Sequence, residues 1–348
     1  MKILAVHDGH SGCAWYRMIL PLKTLEAQDP EVEIIWRRSC EGFNRQISDP
    51  DPAMKAEDAE DADLVIAERL WDDSQLPMWR RMSTPTRKTV FENDDDVFNV
   101  TQDNYEAHEF YNTRNIRKVS VERFMRTADM ITTTTEHIAE AFKEHAPDVP
   151  IKVLPNYIPE RVLDMPHDDR EGHPRIGWVG GSSHGRDIHT ASGSVHRFME
   201  RFPGWHMFVN GVDFTRQFRT PVDRTFHLPW LDINAETWLY YRTIDFDIGI
   251  CPLLDTKFAR SKSPIKALEY MARGIPVVAS DVEPYRKFIK HGETGFLCKY
   301  DHEWLKYLSE LASDEDLRLK MGAAAKEQAR EYTIEGNARR WKEAYLAA

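Results

Sequence analysis

The stretch Phe246 to Ser280, FDIGICPLLDTKFARSKSPIKALEYMARGIPVVAS, constrains the fold more than any other part of the chain. Phe246 to Cys251 is an apolar run of strand length, and Pro252 ends it. Ile275 to Ala279 is a second such run, with the β-branched pair Val277 and Val278. Between them Ala267, Leu268, Tyr270 and Met271 recur at helical spacing, and Gly274 closes the helix. Strand, helix and strand at this separation predict a βαβ unit in a parallel sheet. Ligands of such sheets sit beyond the C-terminal strand ends, close to the start of the crossover helix. Lys257, Arg260, Ser261, Lys262, Ser263 and Lys266 fall there, with Glu269 one turn on.

That cluster reads as an anion site followed by a carboxylate. A helix start carries free N–H groups and a positive dipole end, which suit phosphate. Lys262 and Lys266 are four residues apart and share a helix face, where an anion between them would relieve their repulsion. Glu269 lies on the same face and could accept hydrogen bonds from a ribose diol, as acidic residues do in dinucleotide folds. A solvated basic helix start with a Glu–Lys pair accounts for the same residues, and the pattern alone leaves the two readings level.

The run DIGICPL…KSPIKALEYMARGIPVVAS…ETGFL resembles the donor region of GT-B-fold glycosyltransferases of the large retaining family-four group. The signature there is Glu, seven residues, Glu, then an alanine-rich helix, Gly-x-Pro-Val-Val-Ala and a Thr-Gly-Phe/Leu turn. The second Glu, which binds the donor ribose in that family, maps onto Glu269; the first maps onto Ser261. Lys262-Ser263…Lys266 resembles a subgroup with KS-x-x-K before the second Glu. The resemblance covers the C-terminal half well and the N-terminal half weakly.

A chain of 348 residues predicts two domains of roughly 150 each. A hydrophobic content of 41% and a charged content of 30% fit a globular protein with a core, and no apolar run reaches membrane-span length. The N-terminal MKILAVHDGH enters a strand with no leader pattern, and Cys13, Cys40, Cys251 and Cys298 have no CxxC spacing. Together they give the expectation of reduced thiols in a cytoplasmic protein and argue against zinc. The net charge of −11 excludes a global attraction to nucleic acid or to an anionic membrane, while leaving room for a local basic patch.

The chain opens with strand Lys2 to Val6, the loop His7 to Cys13 with Gly9 and Gly12, and a helix from Trp15 to about Ala27. Strand, glycine loop and helix begin an α/β domain with a ligand against its first turn. The resemblance puts Gly12 in that ligand-facing loop, and Trp15-Tyr16-Arg17…Pro21 resembles a YR…P pattern of the same subgroup. His10 and Arg17 are candidate acceptor contacts, against the plainer readings of a loop histidine and a surface cation. Strands follow at Val32 to Trp36, Leu64 to Ala67 and Thr89 to Glu92, with an acidic surface excursion over Ser48 to Asp63. The third strand runs into Asn93-Asp94-Asp95-Asp96. Carboxylates at a strand end suit a divalent ion, but no further ligand cluster stands nearby and the resemblance is to a metal-independent type. No metal is therefore expected. The triplet reads as a structural loop or as substrate contacts, with Asp94 and Asp96 toward the acceptor and Asp95 in catalysis. Asn104 to Ala128 reads as one long, basic helix, Met130 to Thr135 and Ile151 to Leu154 as strands, and Pro155-Asn156-Tyr157 resembles the LPN turn that leaves the first domain.

Residues Ile158 to His173 have linker composition. Pro174 to Gly180 restarts a strand, followed by the loop Gly181-Ser182-Ser183-His184-Gly185-Arg186-Asp187. Glycine in such a loop lets backbone N–H groups approach phosphate, so Gly180, Gly181 and Ser182 are candidate donor contacts. In the family an Arg after this strand and a Lys five residues later hold the diphosphate; here those positions are Gly181 and Arg186, and Lys262 is the candidate replacement for the absent charge. Trp205 to Asn210 and Thr225 to Leu228 continue the sheet, and Trp230 reads as a core tryptophan, with stacking on a base as the alternative.

The expected architecture is α/β of GT-B type: two facing Rossmann-like domains with the active site in the cleft between them. Residues 1–157 form the acceptor domain, 158–173 the linker, 174–330 the nucleotide-sugar domain, and 331–348 a helix crossing back. The expected reaction transfers a sugar from a nucleoside diphosphate sugar, a UDP-sugar, to an acceptor hydroxyl with retention. No permanently bound cofactor is expected. Arg186, Lys262, Glu269 and Asp95 are the candidates for catalysis; Ser263 and Lys266 join Arg186, Lys262 and Glu269 in holding the donor. A glycan, a lipid carrier, a protein and a hydroxymethylated base in viral DNA all remain compatible as acceptor. A nucleotide-sugar epimerase, a sugar phosphorylase and a non-catalytic nucleotide-sugar-binding protein remain alternatives.

Overall fold

The computed structural model describes residues 1–9, 11–39, 51–102, 104–112, 116–167, 172–234 and 237–348; His10 and residues 48–50 of the acidic excursion lie outside them. The chain forms two compact units. Unit 1 comprises Met1–Tyr157, Ser261–Ser263 and Ile334–Ala348, and unit 2 comprises Ile158–Arg260 and Pro264–Thr333.

Unit 1 is built on a parallel sheet of β1 (Lys2–His7), β2 (Glu33–Arg38), β3 (Leu64–Glu68), β4 (Lys88–Glu92), β5 (Met130–Thr133) and β6 (Ile151–Val153), in the order β2-β1-β3-β4-β5-β6. Its central strands are buried almost throughout, as a parallel sheet covered on both faces requires. The order reverses between β1 and β3, so the loops after these two strands part and leave a crevice. The first helix is interrupted by a widened π-type turn at Trp15–Ile19 that carries Arg17. The stretch expected as one helix is two, Tyr105–Asn112 and Ile116–Thr127. The last helix, Ile334–Leu346, buries Trp341 and Tyr345 within this unit, and Lys342 pairs with Asp29.

Unit 2 holds β7 (Arg175–Gly180), β8 (His206–Gly211), β9 (Thr225–Pro229), β10 (Ile248–Cys251), β11 (Val277–Ser280) and β12 (Gly295–Cys298), all parallel, in the order β12-β11-β10-β7-β8-β9. Counted from β7 this is the 3-2-1-4-5-6 order of dinucleotide-binding sheets, with its reversal between β7 and β10. The amphipathic helix His189–Arg201 lays Val195, Phe198 and Met199 over Trp178, Val209 and Ile250. Full burial of each such side chain stabilises by about 1.5–3 kcal/mol. β10 starts at Ile248 rather than Phe246, and the Phe246 ring fills the space where a Cβ on Gly177 would be, 2.1 Å from that atom.

Candidate functional site

In unit 2 the topological reversal brings together two loops that lie more than sixty residues apart in sequence. The loop after β7 and the loop after β10 are tied by Asp187. One of its carboxylate oxygens accepts from Leu254 N–H at 2.8 Å, and the other lies 2.7 Å from His184 Nδ1. Gly180, the last residue of β7, makes room for Lys266: a Cβ there would press on the Trp178 ring at 2.5 Å and lie 3.1 Å from Lys266 Nζ. The ammonium sits 4.7 Å from the Trp178 ring centroid, a cation–π distance, on a residue only 9% exposed. Gly181 faces open space, Ser182 begins a short 3₁₀ turn, and Arg186 is exposed just ahead of the helix His189–Arg201.

Glu269, on the helix Ile265–Ala272 after β10, is 4% exposed, and the Tyr240 hydroxyl donates to its Oε1 at 2.9 Å. Burial, and then the neighbouring Glu269, hold the Tyr240 phenol well above its usual pKa, so it stays a donor. Tyr270 on the same helix packs over Gly249, and its hydroxyl accepts from Val179 N–H at 2.8 Å. The strand end thus keeps its hydrogen bond where β7 and β10 part. The result is a cation, a glycine-bared backbone and an oriented carboxylate at one end of one sheet, which is what a nucleoside diphosphate requires.

Lys262 and Ser263 group with unit 1. Ser261–Ser263 pack with unit 1: Thr135 Oγ1 donates to Ser261 O at 2.8 Å, and Asn156 Nδ2 donates to Ser263 Oγ at 3.0 Å. Lys262 lies close enough to Asp95 to favour its ionised form.

Unit 1 collects a dense charge cluster at the ends of β3 and β4. Arg69 adopts a left-handed backbone conformation (φ +51°), and its N–H donates to Glu92 O. Its guanidinium reaches Asp94 at 2.6 Å, Asp95 at 2.6 Å and Cys13 Sγ at 3.1 Å. The two aspartates divide. Burial opposes ionisation of both, but Arg69 and Arg17 hold Asp94 below the usual carboxylate range, while Asp95 is pushed above it. Glu68 is fully buried with Oε2 accepting from Asp8 N–H at 3.3 Å, and burial raises its pKa well above the usual value.

The sequence reading expects acceptor contacts from Arg17 and Asp96, and the structure places both side chains in the interior. Arg17 makes a bidentate pair with Glu92 (2.8 and 3.0 Å), donates to Leu154 O and Asn156 Oδ1, and lies 4.8 Å from the Trp341 ring centroid. Asp96 accepts from the N–H and the Nδ2 of Asn99, three residues on. Gly12 starts the first helix with Ser11 as its cap. His10 lies outside the described residues. Among those residues no group of three or more His, Cys, Asp or Glu is arranged to hold a metal ion, and no helix is long and apolar enough to cross a membrane. Sequence reasoning missed Glu68, Arg69 and Tyr240. The charged pair Glu-Arg closing the apolar run LVIA was the visible signal for the first two; Tyr240 had none.

Residues 236–328 match the family of glycosyl transferases group 1. No curated protein sequence matches the chain. HepE of Anabaena, solved in complex with UDP, is similar in structure with a TM-score of 0.70 at 15% identity, over 100% of both chains. Sucrose-phosphate synthase from Thermosynechococcus elongatus is similar with a TM-score of 0.68 at 14% identity, over 100% of this chain and 99% of the other. The lipopolysaccharide outer core galactosyltransferase WaaB follows at 0.60 and 14%, over 100% and 99%. Residues 236–328 carry a glycosyl transferases group 1 domain, and the whole chain shares the fold of GT-B glycosyltransferase structures.

Proposed function

We propose that the protein moves a sugar from a UDP-sugar to an acceptor hydroxyl, with retention and without a metal ion. One observation carries this reading: at the strand reversal of unit 2, Lys266 lies at the bared backbone of Gly180, with Glu269 held by Tyr240 on the same crossover helix. The HepE structures with UDP and with UDP-glucose support the choice of donor.

In this reading Glu269 accepts from the ribose diol. Lys266 and Arg186 meet the diphosphate, and Gly180, Gly181 and Ser182 leave or line its path. As the bond from the anomeric carbon to the diphosphate oxygen breaks, charge builds on the leaving group. Fixed cations at that point stabilise the transition state more than the ground state. Asp94 and Asp95, set by Arg69, hold the acceptor in unit 1. Arg17 positions this end of the sheet through Glu92 rather than touching substrate.

The test is thermal shift against UDP-, GDP-, ADP- and TDP-sugars, with Mg²⁺ or with EDTA. This is followed by nucleotide release with candidate glycan, lipid-carrier, protein and hydroxymethylated-DNA acceptors. A UDP-sugar at about 100 times its Kd stabilises by about 2.7 kcal/mol, and the shift is expected to survive EDTA. No shift with any nucleotide sugar overturns the reading. A shift without sugar transfer to any acceptor points instead to a binding protein.

A further inference from the structure

The helix Ile265–Ala272, which carries Lys266 and Glu269, begins without a local cap. Pro264 stands at its N-cap, and no side-chain hydrogen bond closes its first turn. A proline also disfavours helical backbone in the residue before it, so Ser263 does not extend the helix backwards. The entry is held from further away. Ser261–Ser263 count with unit 1, while the chain on either side of them counts with unit 2. Thr135 Oγ1 caps the helix Glu136–His145 by accepting from Ile138 N–H at 3.3 Å, and donates to Ser261 O at 2.8 Å. Asn156 Nδ2 donates to Ser263 Oγ at 3.0 Å. The orientation of that amide is fixed, because its Oδ1 accepts from Arg17 Nη1 at 3.0 Å and a guanidinium can only donate. Arg17 in turn lies buried on Glu92. A buried chain of hydrogen bonds thus runs from Glu92 through Arg17 and Asn156 to Ser263 and ends just before Pro264.

We infer that Asn156, with Thr135, is a positioning residue for the donor: they hold the tripeptide Ser261–Ser263, and through it they set where the helix bearing Lys266 and Glu269 begins. This rests on the donor-site reading above and adds to it groups that aim the site without touching the nucleotide. Binding groups must be held to within about 0.5 Å of their productive places. A helix start with proline at its N-cap does not secure that from its own residues. Ser263, which the sequence reading sets among the donor contacts, acts here through the helix that follows it.

The test is calorimetric titration of UDP into the wild type, Ser263→Ala, Ser263→Thr, Asn156→Ala and the double variant Asn156→Ala/Ser263→Ala. Loss of one neutral hydrogen bond is expected to weaken UDP by about 2- to 13-fold in each single alanine variant. The double variant is expected to bind no worse than the weaker single one, because both changes remove the same bond. Ser263→Thr keeps the hydroxyl and is expected to bind as the wild type does. Wild-type UDP affinity in Ser263→Ala overturns the inference and leaves the donor site standing. Weakening in Ser263→Ala with wild-type affinity in Asn156→Ala, or losses that add in the double variant, also overturn it, because Ser263 would then meet the nucleotide itself. If Asn156→Ala fails to fold, Thr135→Val takes its place by releasing the other end of the tripeptide: weakened UDP binding supports the inference, and wild-type affinity overturns it. A wild type that binds neither UDP nor inorganic pyrophosphate overturns the donor-site reading itself.

Discussion

The two sheets share a plan and differ in how they spend charge at their C-terminal strand ends. In unit 1 the cations are matched by acids within the protein: Arg17 lies on Glu92, and Arg69 on Asp94 and Asp95. In unit 2 Lys266 is held over an aromatic face, and Arg186 is exposed beside a glycine loop. A cation neutralised by buried carboxylates has little left for a diphosphate, and the proposed reading therefore places the diphosphate in unit 2. The same topology thus ends in an acid-rich cluster in unit 1 and, on the proposed reading, in a nucleotide site in unit 2.

The sharpest way to break this contrast is at Arg17. Arg17→Met leaves Glu92 buried and unpaired, and is expected to cost about 3–5 kcal/mol. Thermal melting should fall by on the order of 10 °C. The double change Arg17→Met/Glu92→Leu should recover most of that. If the single variant melts with the wild type, the pair is no part of the scaffold.

Glu68 gives the next effect. Its folded pKa is raised, so the stability tied to its proton is present below the unfolded value near 4.3 and is lost as pH rises through the folded value. Glu68→Gln escapes that loss. Its melting advantage over the wild type should widen as pH climbs from about 4.3, by up to about 1.4 kcal/mol per pH unit. A difference flat in pH would show that Glu68 ionises as an ordinary surface carboxylate does.

At the basic end, Glu269→Ala removes a charge-assisted hydrogen bond of about 1.5–3 kcal/mol. Donor affinity, measured by titration, is expected to fall roughly tenfold to a hundredfold with the melting temperature little changed. Wild-type affinity would remove Glu269 from the donor site. The smallest effect belongs to Tyr240→Phe, which keeps the ring and frees Glu269 Oε1. About 0.5–1.5 kcal/mol should appear in the KM for donor and not in kcat. A loss confined to kcat would mean that the hydroxyl acts in the chemical step.

Much of the fold could be read from local pattern. The runs LVIAE and RIGWVG become buried strands, and Gly274 closes its helix with φ +70°. Local pattern failed where a side chain's fate depends on distant partners. Arg17 reads as a surface cation because its partner Glu92 is 75 residues away. Trp230 reads as core and is 51% exposed, because composition says nothing of which face of the last strand is covered. Ser261–Ser263 read as part of the donor helix, yet their hydrogen bonds go to Thr135 and Asn156 in the first unit.

What the sequence determined by itself was periodicity and punctuation: where strands and helices run, where glycine and proline end them, and hence an α/β chain with a nucleotide-type motif before Glu269. Those follow from neighbours within a few residues, which fix backbone conformation and the spacing of apolar faces. Only the tertiary structure decided which charges are consumed. The parallel order sets β7 beside β10 and β3 beside β4, and burial there makes each ion pair or hydrogen bond a matter of contacts many residues apart.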